Sequence, residues 1–478
     1  MNQSVDHLAL LPLYLAAGSA LLVLVIDVLT GRRTWAIGTA VAGGLATAVA
    51  AVAAAGADPT FCTGADCSWV PSPTAAAVAV VFALLTVGVL ALSTPGLRVG
   101  TAPAGEFCFL LVSAMTGGVV IGYAGDLITL IVGLETLTLP LYVLVGLRRF
   151  VPGSRVTTAG ASAAVTFLLV SIISTTIALL GAALLFAATG GLHLDRLSAA
   201  VPLAGTEPLA TVGVALIVIG FAFKVAAVPL HAWAPPTYDG SPLPVAAYLS
   251  TASKLGGVIA LAAVVARLDA GPLPAVLAVL TMTVGNLVAL RQTRMVRLLA
   301  WSSVAQAGYI LAPLAAGAAG VTAALAYAVF FVVLEFIAFA VVVALRPPEA
   351  DGGEISSYRG VARRSPWLSA ALVLAFAGLA GLPPGLAGLF AKVTIVDALI
   401  DTGWGWLAGV VALNAVIALA YYIRAAAILY AGPVGIAVAD MRPPKLPVTW
   451  PVATAIGTAT LIAVLLGFAP QALFDALS

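Results

Sequence analysis

Five ionisable side chains stand inside long apolar runs: Glu135, Lys224, Lys254, Glu335 and Lys392. Asp27, Asp126 and Asp397 stand nearer the ends of such runs. In lipid a charged group costs about 2.5 to 3.5 kcal/mol on insertion scales, so it persists where it is paired, hydrated or needed. The residue types matter as much as their placement. The chain has 17 arginines and four lysines; the arginines lie mainly between the apolar runs, whereas three of the four lysines lie inside them. Arginine stays protonated in any protein setting and cannot pass a proton on. Lysine can, because burial brings its proton affinity toward the working range. The split points to groups that must both gain and lose a proton.

The neighbours of each group refine this. Glu135 lies in Leu134-Glu135-Thr136-Leu137-Thr138-Leu139-Pro140. Pro140 frees a carbonyl about one turn back, near Thr136, which predicts a polar spot beside the carboxylate. Lys224 is its natural partner, with a purely structural ion pair as the alternative. Pro229 predicts a local break just after Lys224. Lys254 follows Ser250, Thr251 and Ser253, whose hydroxyls can hold water, and precedes Gly256 and Gly257, which permit close helix approach. Lys392 follows a second break at Pro383-Pro384. Snorkelling to an interface is the alternative for each lysine, and it suits Lys254 and Lys392 least. His231, in the loop His231-Ala232-Trp233-Ala234-Pro235-Pro236, is an auxiliary candidate for collecting protons, or a packing residue. Glu335 either extends the polar axis or pairs with a partner subunit. Asp397, five residues after Lys392, is poorly spaced for a direct pair.

These groups must be positioned by elements built for lipid. The chain has 478 residues, 62% hydrophobic and 8% charged, where soluble domains carry about 25% charged residues. An all-α integral membrane fold is expected. About fourteen spans are predicted, near residues 8–29, 36–56, 74–93, 105–122, 126–146, 159–188, 208–229, 243–267, 273–290, 298–315, 319–345, 367–399, 404–430 and 448–469. The first has no basic residues before it and is expected to be a permanent helix rather than a cleaved leader. The sixth is long for one span. The seventh breaks near Pro229, and the twelfth at Gly381-Leu382-Pro383-Pro384-Gly385.

Gly220-Phe221-Ala222-Phe223-Lys224-Val225 and Gly388-Leu389-Phe390-Ala391-Lys392-Val393 share a Gly-x-x-x-Lys-Val core, each beside a break. Inverted repeats with broken helices and a midplane polar site are a transporter pattern. The division expected is an N-terminal three-helix segment (1–104), two inverted five-helix repeats (105–267 and 268–430, spans 4–8 and 9–13) and a final span (431–478).

Basic residues set the orientation. With both termini outside, Arg32, Arg33, Arg98, Arg148, Arg149, Arg155, Arg291, Arg294, Arg297, Arg346, Arg359, Arg363, Arg364, Arg442 and Lys445 face the cytoplasm, and Arg196 and Arg267 the outside. The loop holding Cys62 and Cys67 then lies on the oxidising side, where the two are candidates for a small disulfide, with free thiols as the alternative. Cys108 reads as packing. No glycine-rich phosphate loop follows a strand and no paired CxxC cluster occurs, so no nucleotide, redox or metal site is expected in this chain.

The segment Phe223-Lys224-Val225 through Val228-Pro229-Leu230-His231-Ala232-Trp233-Ala234-Pro235 resembles a signature of the antiporter-like membrane subunits of NADH–quinone oxidoreductase, respiratory complex I. So does Gly240-Ser241-Pro242-Leu243-Pro244-Val245, leading to Ser253-Lys254. Arg297 through Ser302-Ser303, Gln306 and Gly308-Tyr309 resembles that family's tenth span. Gly133-Leu134-Glu135 with Leu139-Pro140-Leu141-Tyr142 resembles its fifth. Subunit N is the most similar member, on length and on the lysine at position 392, where subunit M and the related Mrp antiporter subunit often carry glutamate.

The resemblance implies a hydrated proton path through Glu135, Lys224, Lys254 and Lys392. It implies bacterial inner-membrane residence and contact with other membrane subunits, neighbouring antiporter-like ones included. It places NADH, FMN, iron–sulfur clusters and quinone on partner subunits, and implies no nucleic acid. Two departures stand out: a lysine common in the family's sixth span matches Thr166 here, and Gln306 replaces a histidine of some members. The first puts in doubt a route that uses a second lysine near the Glu135–Lys224 pair. An Mrp-type cation/proton antiporter subunit is the alternative function, though sodium sites need clustered oxygen ligands and this axis offers lysines. An inert scaffold is a third reading.

Overall fold

Helix dominates the structure, a computed structural model that describes residues 5–147, 155–200, 207–432 and 448–477. Among these, ten helices are long and apolar enough to cross a membrane. They include α1 (Leu11–Thr30), α2 (Arg33–Ala53), α3 (Pro73–Val99), α4 (Ala104–Tyr123), α5 (Leu127–Gly146) and α6 (Arg155–Thr189). After the short α7 (Leu194–Ala200) come α8 (Glu207–Lys224) and α9 (Ala234–Gly240). The next span joins α10 (Leu243–Tyr248), one π-helical turn (Leu249–Ser253) and α11 (Lys254–Val265). The second half holds α12 (Leu273–Ala289), α13 (Met295–Leu314), α14 (Val321–Leu345), α15 (Val361–Arg364), α16 (Pro366–Ala380), α17 (Leu386–Asp401) and α18 (Gly405–Tyr430). The chain closes with α19 (Trp450–Phe468) and α20 (Gln471–Leu477). Each apolar run read from the sequence coincides with one of these helices or with a broken pair, and the long sixth run is one 35-residue helix.

The two breaks differ from each other. α8 ends at Lys224 itself, not at Pro229, and a turn covers 225–233 before α9. There Ala226 takes a φ of +62°. The indole of Trp233 donates to the Phe223 carbonyl at 3.1 Å, which satisfies a backbone acceptor left by the missing turn. α16 ends at Gly381, whose φ of +82° turns the chain away. The π-helical turn before Lys254 was not foreseen; such turns insert one residue into the ladder and recur at functional sites.

At one end of the bundle the strands Thr60–Thr63 and Asp66–Trp69 form a hairpin, closed by a Cys62–Cys67 disulfide. Trp69 stacks on Tyr123 with ring centroids 4.6 Å apart and donates to the Ala9 carbonyl at 2.9 Å. The hairpin thereby ties the start of α1 to the end of α4. Asp126 is a cap of α5: its carboxylate accepts from the Thr129 amide and hydroxyl, both at 2.8 Å. Asp27 lies against Gly105 of α4, where an added Cβ would come within 2.2 Å of the carboxyl carbon. Cys108 is a buried free thiol.

At another loop cluster, Arg294 forks onto Asp239, with contacts of 3.0 to 3.2 Å, and onto Asp351 at 2.9 Å. Arg346 donates to the Asp351 carbonyl at 2.9 Å. The loop between α14 and α15 is thus pinned to the end of α9 and the start of α13. Among the basic residues that set the expected orientation, Arg148, Arg149, Arg442 and Lys445 lie outside the described residues, as does the side chain of Arg155.

Candidate functional site

The site is built from helix interiors. Lys224 closes α8, and its side chain is 3% exposed while that of Glu135 keeps 29%. The ammonium lies 2.7 Å from Glu135 Oε1 and also donates to Thr138 Oγ1 at 3.1 Å and Ser171 Oγ at 2.9 Å. Thr175 donates to Glu135 at 2.5 Å, and Tyr142 donates to Ser171 and, at 3.5 Å, to Glu135 Oε2. Three donors or acceptors therefore surround each member of the pair, which is what a charge in a low-dielectric setting requires. The polar spot beside Glu135 comes from Thr175 and Tyr142 rather than from the Thr136 backbone.

The next helix approaches closely because of a glycine. A Cβ added at Gly257 would meet Lys224 Cβ at 2.8 Å, so α11 packs directly on the end of α8. Three residues before it, Lys254 is 1% exposed. Its ammonium donates to the Ser303 carbonyl at 2.5 Å and hydroxyl at 2.6 Å, and lies 5.6 Å from the centroid of the Phe331 ring. Ser250 and Thr251 bond back to the Ala247 carbonyl.

From α13 a hydrogen-bonded line continues. Ser302, beside Ser303, shares a hydrogen bond with the hydroxyl of Tyr422. Gln306 donates to Tyr422 at 3.1 Å and to the Leu379 carbonyl at 3.0 Å, and accepts from Tyr327 at 2.5 Å. The Leu379 carbonyl also accepts from Lys392, at 2.8 Å, as does that of Ala380. Lys392, 7% exposed, thus sits on the C-terminal carbonyls of α16, where the helix dipole is negative. The Lys254 and Lys392 ammonium groups both end on internal acceptors, not at an interface.

Glu335 is 0% exposed within this chain, so it cannot pair with a partner subunit. Asp397 is exposed on α17 and lies off the axis. Thr166 is exposed and bonds to the Ser162 carbonyl; Ser171 and Thr175 are sixth-span residues that touch the pair. The His231 ring is 5.3 Å from that of Trp301, between the break and α13. Sequence reading missed Ser171, Thr175, Ser302, Tyr422 and Tyr327. Their one signal was polarity within apolar helices.

The model of the NADH:quinone oxidoreductase/Mrp antiporter transmembrane family matches residues 124–418, which hold Glu135 and the three buried lysines. The chain belongs to that family. A subunit N of NADH-quinone oxidoreductase from Salinispora tropica is 58% identical, over 99% of both chains. Among solved structures, a chain of respiratory complex I from Thermus thermophilus matches with a TM-score of 0.81 and 26% identity, covering 98% of this chain and 99% of that one. A chain of the Mrp complex from Dietzia sp. DQ12-45-1b matches with a TM-score of 0.82 at 22% identity, over 98% of this chain and 96% of that one, a likeness of fold. Within the family the buried lysines stand in its antiporter-like membrane fold, and the chain is a multi-pass membrane protein.

Proposed function

We propose that the chain is a proton-translocating membrane subunit of NADH–quinone oxidoreductase, of the subunit N type, and that Glu135, Lys224, Lys254 and Lys392 carry the proton. One observation carries this reading: three buried lysines, each held by hydroxyl, carboxylate or carbonyl groups within otherwise apolar helices, in a chain 58% identical to a subunit N. A proton enters from the cytoplasmic side near Lys224 and His231, passes to Lys254 and leaves by Lys392. The Glu135–Lys224 pair is an electrostatic latch. Glu135 keeps 29% exposure, so a neighbouring antiporter-like subunit can reach the carboxylate and pull the pair apart.

NADH, FMN, iron–sulfur clusters and quinone belong to partner subunits, and this chain holds no redox centre. The protein crosses the bacterial inner membrane in fourteen spans with both termini outside. Residues 1–104 form the added N-terminal segment, 105–267 and 268–430 the inverted repeats, and 431–478 the last span. Supporting the repeats, each contains one broken helix with a lysine at or just after the break.

The Mrp-type antiporter reading shares the fold. The axis offers ammonium groups and single hydroxyls rather than the oxygen cluster a sodium ion needs. Sodium-dependent exchange by the purified complex would reverse the ranking. The central test is Lys254→Met in the assembled complex, followed by NADH-driven proton uptake into vesicles. A drop of at least about tenfold in proton transfer attributable to this subunit is expected for loss of a positioned acid–base group. Wild-type uptake would sink the role of Lys254.

A further inference from the structure

Glu335 has no part in the path above, yet it lies beside it. It sits near the middle of α14, 0% exposed, and neither carboxylate oxygen has a hydrogen-bond partner among the described residues. Phe331, one helical turn earlier, is the ring against which the Lys254 ammonium rests at 5.6 Å. α14 packs on α10, the π-helical turn, α11 and α13, the elements that carry Lys254 and Ser303. The groups within electrostatic reach of the carboxylate are Lys254 from α11, Tyr238 from α9 and Tyr422 from α18.

We propose that Glu335 is a proton-holding site paired with Lys254, so that the axis contains two lysine–carboxylate pairs and the proton rests on Glu335 on its way to Lys392. The proposal rests on the reading of Lys254 as a proton carrier. A buried carboxylate with no donor is expensive as an anion. It is tolerable in two states: as the counter-charge of Lys254, or protonated. Transfer converts one into the other. An N–H bond of the Lys254 ammonium breaks, an O–H bond forms on Glu335, and the charged pair becomes a neutral amine and a neutral acid. The net charge of the pair is zero before and after, so the step needs no further ion, and nothing is oxidised or reduced. Lys254, held by Ser303, has a flexible stem that can swing its head toward α14. Of the two tyrosines that feel the Glu335 charge, Tyr422 joins Ser302 and Gln306, and Gln306 shares the Leu379 carbonyl with Lys392.

The test compares Glu335→Gln with Lys254→Met in the assembled complex in vesicles, reading proton uptake per NADH oxidised. The infrared difference spectrum on NADH addition is recorded alongside, in the carboxylic-acid carbonyl region. Proton transfer in Glu335→Gln is expected to fall at least about tenfold, with loss of a carboxylic-acid band seen in the wild type. Should the glutamine chain fail to assemble, Glu335→Asp is read instead: a shifted acid band with slowed uptake is expected. Normal uptake with an unaltered band in either variant, while Lys254→Met is impaired, overturns the role of Glu335 alone. Normal uptake in Lys254→Met overturns the underlying path.

Discussion

Arg294→Gln removes the guanidinium that joins the end of α9 to the loop after α14. Two charges 3 Å apart interact by about 5 kcal/mol at an effective dielectric of about 20, before desolvation is subtracted. Arg294 holds Asp239 through three contacts of 3.0 to 3.2 Å and Asp351 at 2.9 Å, and its side chain keeps 30% exposure. A fully buried pair that loses one partner costs about 3 to 5 kcal/mol and an exposed one under about 1, so this half-buried fork should cost about 2 to 3 kcal/mol. Part of that is the repulsion of Asp239 and Asp351 once the guanidinium between them is gone; Asp351 keeps Arg346 at 3.5 Å, so adding Asp351→Asn should recover only a part of the loss.

The pH dependence has a definite sign. Hydrogen bonding to Asp239, and then to Asp351, holds the guanidinium charged more firmly than usual. Burial pushes the Asp351 carboxyl up, but the hydrogen bond and charge of Arg294, the Gly353 amide and the charge of Arg346 together outweigh it and leave it below its ordinary 3.8. A depressed carboxylate contributes its full stability above the ordinary value and loses it as pH falls through the lower, folded one. The wild-type advantage should therefore hold through the neutral range and shrink only in acid below 3.8. The assay is protease cleavage within residues 346–360 of the purified complex as temperature rises. Equal protection in Arg294→Gln, or a double variant no better than the single, would refute the reasoning.

Gly257→Ala should push α11 off the end of α8, because the new Cβ would meet Lys224 Cβ at 2.8 Å. A loss of about 1 to 3 kcal/mol is expected, read as a lower temperature of subunit release together with slower proton uptake; unchanged values in both would mean that α11 need not touch Lys224. Cys62→Ser opens a disulfide whose cysteines are five residues apart. A loop that short gives about 2 kcal/mol at most, and Trp69 still anchors the hairpin. Protease sensitivity should rise at residues 58–70 and nowhere else, and a global fall in stability would contradict this.

The elements were legible because hydrophobic length is a direct signal in lipid-facing helices. The sequence also named the Glu135–Lys224 couple, since a buried carboxylate and a buried lysine each demand a counter-charge. What joins Lys254 to Lys392 was not legible. Gln306 meets Leu379 and Tyr422 across separations of 73 and 116 residues, and no local spacing encodes such meetings. The sides that Thr166 and Asp397 present were not legible for a related reason: position along an apolar run does not say which side of the helix faces the bundle. Nor could Pro229 show that the helix already ends at Lys224, because the tight turn with Ala226 at positive φ precedes it.

The two ends of the line hold their lysines by different means. Lys224 faces a carboxylate that can itself take up a proton, so that end can be switched off by chemistry. Lys392 faces the carbonyls of Leu379 and Ala380, whose polarity no proton can erase. The attraction there is permanent and changes only if α16 and α17 move relative to each other. One terminus is therefore governed by charge and the other by shape, which makes the two ends of the line unlike.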